Sequence, residues 1–168
     1  MSASYIMIRP ATKNDWPFII EIYNEGIANR LSTAETKVVT VEDKLDWLKE
    51  HEEERFPILI AEENGIVAGW ICLSAYRKGR QALQNTAEIS YYIRKHYWKK
   101  AIATQLMEVM MSKAKELGFK NLMAILIDAN NASTALLKKF GFEQWGLMPD
   151  IIEIDDKTYG HSYYGKKI

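Results

Sequence analysis

Ile6 and Ile8 alternate with Met7 and Arg9 before Pro10, the period of a short strand ended by a residue without an amide proton. The period then lengthens. Trp16, Ile19, Ile20 and Tyr23 recur at helical spacing, with Pro17 tolerated in the first turn and Asp15 placed to cap it. Thr40 and Asp43 form a T-x-x-D capping pattern around Val41, Leu45, Trp47 and Leu48, which predicts a second helix ending near His51. The apolar runs Pro57 to Ala61 and Ile66 to Leu73, separated by Glu63-Asn64-Gly65, predict a hairpin. Thr86 to Ile93 reads as a strand, and Ile102, Leu106, Val109, Met110 and Ala114 as a helix closing at Leu117-Gly118. Leu122 to Ile127 is a further strand and Ala132 to Phe140 a helix stopped by Gly141. Phe142 to Leu147 and Thr158 to Tyr164 are the last strands. This order predicts an α+β fold with a mixed, mostly antiparallel central sheet flanked by helices.

Composition narrows the picture. A chain of 168 residues with 48% apolar content buries its own core, and its length fits one domain over residues 1–168. Basic and acidic residues balance at 22 each, so no overall field favours nucleic acid or an anionic membrane. The single cysteine, Cys72, makes no internal disulfide and suits a reducing cytoplasm. No apolar h-region opens the chain, and no run approaches the ~20 apolar residues that span a bilayer, so neither export nor insertion is expected. His51, His96 and His161 share no ligand spacing, so no metal site is expected and a surface position is the default for each. The acidic stretch Glu50 to Glu54 reads as the solvated end of a helix.

Two segments carry candidate chemistry. Tyr92 to Leu106, read as strand, turn and helix start, aims free backbone N–H groups and a helix dipole at one point, as an anion site does. Ala101 and Ala103 let the backbone approach a ligand, and Lys99 and Lys100 add charge; an ordinary turn with solvated lysines has the same residues. Asn130 ahead of a helix serves equally as a cap or as an amide that hydrogen-bonds a ligand.

With Trp98, Ala101 and Ala103 at its three defining positions, the first segment resembles the cofactor loop of the GNAT N-acetyltransferases: Gln or Arg, two residues, Gly, any residue, then Gly or Ala. Asn130, Ser133, Leu136 and Gly141-Phe142 resemble the family's second signature. Thr86-Ala87-Glu88 resembles the T-A-E of its phosphinothricin acetyltransferase branch, and Ile22-Tyr23-Asn24, Arg80 with Ala82, Trp145-Gly146 and Pro149 extend the likeness over nearly the whole chain. The resemblance implies the GNAT fold and acetyl-coenzyme A as cosubstrate, bound by Tyr91, Tyr92 and Ile93, by Lys99, Lys100, Ala101, Ile102, Ala103 and Thr104, and by Asn130 and Ser133. It implies Glu88 as general base, Tyr23, Asn24, Arg80 and Thr86 around a small amine acceptor, and a homodimer, for which Tyr159 to Tyr164 supplies an aromatic run. The backbone of Tyr91 to Ile93 would also supply an N–H for an oxyanion.

Four positions depart from the pattern. Trp98 replaces a polar residue, and Ala101 replaces a glycine, at a cost of about 1 kcal/mol if its backbone is left-handed. Leu137 stands where many members carry a tyrosine that protonates the leaving thiolate. A coenzyme A thiol, with a pKa near ~8.5, leaves without that acid. These departures motivate a second reading, a degenerate acyl-coenzyme A-binding or interaction module, which a blocked loop at Ala101 would favour. Leu83, where relatives often have tyrosine, leaves the acceptor open.

Overall fold

The computed structural model describes residues 5–168. Seven strands form one sheet: β1 (Ile6–Pro10), β2 (Ile58–Glu63), β3 (Ile66–Ala75), β4 (Thr86–Ile93), β5 (Asn121–Ile127), β6 (Glu143–Ile154) and β7 (Lys157–Lys167), in the order β1-β2-β3-β4-β5-β7-β6. Four helices flank it: α1 (Trp16–Asn29), α2 (Leu45–Glu50), α3 (Ile102–Glu116) and α4 (Asn131–Lys139). All neighbouring strands are antiparallel except β4 and β5. The α+β class and the order of elements are those expected from the sequence.

Alternation along the strands divides the core in two. Ile58, Ile60, Val67, Trp70 and Cys72 pack against Ile19, Ile20 and Ile22 of α1 and Leu48 of α2. Leu59, Ala61, Ile71, Leu73, Ala87 and Ile89 face the opposite way, onto Ile102, Leu106, Met107 and Met110 of α3 and Leu137 of α4. Each fully buried aliphatic side chain stabilises the fold by roughly 1.5–3 kcal/mol. Val67 and Trp70 share a face although three residues apart, because the β2–β3 register shifts between Ala61 and Glu62 and leaves Ala68 as the extra residue.

Several boundaries differ from expectation for identifiable reasons. The Thr40–Asp43 cap forms, with Asp43 N–H donating to Thr40 Oγ1 at 3.2 Å, but residues 41–44 remain a turn before regular helix begins at Leu45. At the C-terminal end β6 and β7 are longer than predicted. They meet at a two-residue turn, Asp155-Asp156, with φ of 48° and 62°, a left-handed pair that aspartate tolerates but that does not read as the usual Asn-Gly signal. Pro149 falls in a register jump between Met148 and Ile152, where no ladder donor is required. β7 lies between β5 and β6, so Tyr159 to Tyr164 runs through the interior of the sheet rather than along an edge. Four exposed apolar residues gather on the edge strand β6: Trp145, Leu147, Met148 and Ile151.

Asp15 does not cap α1. Its carboxylate accepts from the Thr12 N–H at 2.7 Å and from Arg9 Nη1 and Nη2 at 2.8 and 2.9 Å, while Arg9 Nη2 also donates to Glu62 at 2.8 Å. One guanidinium thus ties β1 to β2 and to the start of α1. The Arg9 hydrogen bonds hold the Asp15 carboxyl below its ordinary pKa of 3.8. A depressed carboxylate pKa stabilises the fold above the unfolded value and loses that contribution as pH falls through the folded one. Asp15→Asn should therefore lower stability at pH 7 by about 1–3 kcal/mol, with the difference from wild type shrinking below pH ~4, as read by urea titration at both pH values.

Candidate active site

The site begins where β4 and β5 part. These two strands pair in parallel at only three positions, Thr86 with Asn121, Ala87 with Leu122 and Glu88 with Met123, although both continue further. Beyond Glu88 the amides on that side of β4 have no strand to bond. Arg94 N–H donates to Ala68 O on β3, so alternation turns the odd-numbered amides, those of Tyr91 and Ile93, toward the gap.

Side chains alternate likewise. Glu88, Ser90 and Tyr92 on β4 stand opposite Ser74, Cys72 and Trp70 on β3 and line a cleft of about 510 Å³, whose far wall is Ile125 to Ile127 of β5. Tyr23 and Lys44 close one end of it, and Glu50, Lys78 and His161 also contribute. A second cleft, of about 470 Å³, lies between the end of β4, the loop Trp98 to Thr104 and the start of α4. Ser32 and Tyr92 line both, so the two adjoin. The Tyr92 ring is held as a partition by Trp70 at 4.9 Å and Tyr23 at 5.0 Å between centroids. Gly26 makes room for it: a Cβ there would lie 2.9 Å from the ring.

Glu88 is half-buried at the start of the gap. Burial pushes its carboxyl above the ordinary carboxylate value of 4.5, and it makes no ion pair or side-chain hydrogen bond with any described residue. An unpaired carboxylate with a raised pKa, open to a cleft, is suited to accept a proton.

In the second cleft, Ile102 is 1% exposed and anchors the first turn of α3, which turns Ala101 and Ala103 onto the cleft wall. Among the described residues, no amide N–H from Lys99 to Thr104 meets an acceptor. Five of these six residues line the cleft, and free donors at a helix N-terminus suit a diphosphate group. The loop is open, although Lys99 and Ala101 adopt φ of 64° and 58° in the left-handed region. Trp98 retains a polar task, since its Nε1 donates to Ile93 O at 2.9 Å and fixes the loop to β4. Asn130 is both cap and site residue: its Oδ1 accepts from Ser133 N–H at 3.1 Å while the residue lines the cleft, leaving the amide nitrogen free to donate. Ser133 lies beside the Tyr91 hydroxyl, whose pKa burial pushes up to about 12. Lys100 does not line the cleft; its Nζ sits 4.7 Å above the Tyr97 ring. Leu137 is buried in the core.

The expected acceptor residues separate. Tyr23 lines the first cleft, its hydroxyl bonded to Thr33 and Glu35. Asn24 lines neither cleft, because both amide atoms hold the Val39 backbone at 2.9 Å. Arg80 is exposed and away from both clefts. Thr86 accepts from Asn121 Nδ2 at 3.2 Å on a separate groove with Leu83 and Trp145. Lys44, Ser74, Lys78 and Ser90 line the first cleft instead, together with His161, expected at the surface. Strand alternation from Glu88 would have found Ser90; Ser74 faces Glu88 across the β3–β4 register, Lys44 and Lys78 arrive from loops, and His161 from β7.

Residues 6–143 match the family model described as an acetyltransferase (GNAT) domain. The chain is 39% identical to YwnH of Bacillus subtilis (strain 168), provisionally named a phosphinothricin acetyltransferase, over 96% of this chain and 98% of that protein. It is 30% identical to the L-methionine sulfoximine/L-methionine sulfone acetyltransferase of Pseudomonas paraeruginosa, over 90% of this chain and 86% of that one. Among solved structures it resembles the GNAT superfamily phosphinothricin acetyltransferase of Sinorhizobium meliloti in complex with AcCoA, with a TM-score of 0.91, 26% identity, and coverage of 97% of this chain and 88% of that one.

The left-handed alanine has a measurable cost. Ala101→Gly should raise stability by about 1 kcal/mol, seen as an increase of roughly 2–4 °C in Tm.

Proposed function

The chain belongs to the GNAT acetyltransferase family, and from that membership we propose that it transfers the acetyl group of acetyl-coenzyme A to the amine of a small amino acid-like acceptor. Residues 1–168 form one such domain in this reading. The carrying observation is Glu88: an unpaired carboxyl with a raised pKa that lines the first of two adjoining clefts. The names of the relatives, which act on phosphinothricin or methionine sulfoximine, support the acceptor class.

Acetyl-coenzyme A supplies an activated thioester, and the chain's residues do the rest. The N–H groups of Lys99 and of Ala101 to Thr104 hold the diphosphate, and the free amide nitrogen of Asn130 donates to the pantetheine arm. Main-chain N–H groups of Tyr91 and Ile93, turned into the gap, polarise the thioester carbonyl. Glu88 removes a proton from the acceptor ammonium, which reaches it along the first cleft; Lys44 and Lys78, paired with Glu35 and Glu50, would have to turn from those partners to meet an acceptor carboxylate. With Leu137 buried, the thiolate leaves without an acid from that position. We assign the protein to the cytoplasm, where its donor is made, and to a homodimer whose interface is the apolar stripe on β6.

Calorimetric titration should give micromolar binding of acetyl-coenzyme A, and an acceptor screen should find turnover with methionine sulfoximine or phosphinothricin. Glu88→Gln should leave that binding intact and cut turnover about 10²–10⁴-fold, removing the acid limb of the kcat/KM profile. A raised folded pKa means the ionised carboxylate opposes folding, a cost that appears above the unfolded value of 4.5. The same variant should therefore have a higher Tm than wild type at pH 8 but not at pH 4. Light scattering should report a dimer, which Leu147→Lys with Met148→Glu converts to monomer.

A further inference from the structure

His51 lies beside the acceptor cleft, and the reaction described above makes no use of it. It follows the last residue of α2, half-buried, with its ring 4.4 Å from that of Trp47. Both ring nitrogens are engaged: Nδ1 lies 2.7 Å from Trp47 O, and Nε2 lies 3.2 Å from Ser74 Oγ. A carbonyl oxygen only accepts, so the proton resides on Nδ1; the Nε2 lone pair then accepts from the Ser74 hydroxyl.

Ser74 is the register partner of Glu88. Because Arg94 N–H donates to Ala68 O, the same alternation makes Ser74 and Glu88 a hydrogen-bonded pair with side chains on one face, their Cβ atoms about 5 Å apart. Both line the cleft.

We propose that His51, acting through Ser74, accepts the proton that Glu88 takes from the amine, so that the three residues form a relay out of the cleft. This rests on the acetyl-transfer reading above. The acceptor ammonium loses one proton to the Glu88 carboxylate. Glu88 then protonates Ser74 Oγ, directly or through one water, as the Ser74 hydrogen passes to His51 Nε2, restoring the carboxylate and leaving an imidazolium that releases its proton to solvent. The second proton of the attacking nitrogen passes to the departing thiolate, so that overall ammonium and thioester give acetamide, thiol and the one proton released by the relay.

The surroundings suit the role. Burial holds His51 below its ordinary pKa of 6.5, with the Trp47 carbonyl and Glu50 acting in the opposite sense, so the ring is a neutral acceptor at physiological pH. Glu50 itself pairs with Lys78. On the sheet side the ring faces β3 and β4, whose titratable groups here are Cys72 and Glu88; burial pushes the Cys72 thiol up to about 12, so it stays protonated. Lys13 and Glu52 pair with one another nearby. The relay closes as pH falls through the His51 pKa.

The test compares acetyl transfer by wild type, His51→Gln, His51→Ala, Ser74→Ala and Ser74→Thr across pH, alongside ¹⁵N NMR of the His51 ring. His51→Gln and Ser74→Ala should each lower kcat about tenfold or more with KM for acetyl-coenzyme A unmoved. The double variant should be no worse than either. Ser74→Thr should retain activity, and added imidazole should restore His51→Ala in proportion to its neutral form. NMR should show a neutral ring protonated at Nδ1. Variants within twofold of an active wild type, losses that imidazole does not restore, or an Nε2-protonated ring would overturn the relay alone; a wild type without turnover on any amine would overturn the acetyl-transfer reading and the relay with it.

Discussion

The organisation of this protein depends on how briefly β4 and β5 are bonded. Three paired residues hold the two halves of the sheet together, and each half is otherwise built from antiparallel neighbours. A longer parallel pairing would consume the Tyr91 and Ile93 amides in a ladder and close the gap. Instead, main-chain donors stay available in a low-dielectric setting, where they are worth more than in water. Glu88 sits at the last paired position, the one place on β4 that is both fixed by the ladder and open to the cleft.

Helix packing places the other half of the machinery. The α3 side chains from Ile102 to Ala114 that face the sheet are almost wholly buried, so the helix is fixed in position and its N-terminus with it. The loop from Trp98 to Thr104 is therefore held by core packing at its back and by Trp98 on Ile93 at its front. This support explains how a left-handed alanine is tolerated: an unfavourable φ persists when its neighbours leave the chain no alternative.

Much of this was legible in the sequence, and the limits follow a physical rule. Strand and helix periods are local, so the order of elements, the hairpin at Asn64-Gly65 and the extent of β4 from Thr86 to Ile93 could be read directly. That Glu88 and most of the loop from Lys99 to Thr104 line clefts was legible because each motif lies within one contiguous segment. Asn24, Arg80 and Thr86 were misplaced relative to the clefts because side-chain direction depends on tertiary contacts such as the Val39 backbone. His51 was expected at the surface for a similar reason: its partner Ser74 is distant in sequence and approaches only when α2 packs on β3. The long C-terminal hairpin escaped because Asp155-Asp156 supplies by tolerance what Asn-Gly supplies by preference.

The Tyr92 ring stands between the two clefts, held by Trp70 and Tyr23 and seated over Gly26. Ligands bearing on opposite sides of one ring do not bind independently. Any shift or stiffening of the ring by the first alters what the second encounters, and thermodynamic linkage makes the effect reciprocal: each ligand changes the other's affinity by the same factor. With donor and acceptor in the two clefts as proposed, a single aromatic side chain would couple their energetics with no motion of the surrounding fold.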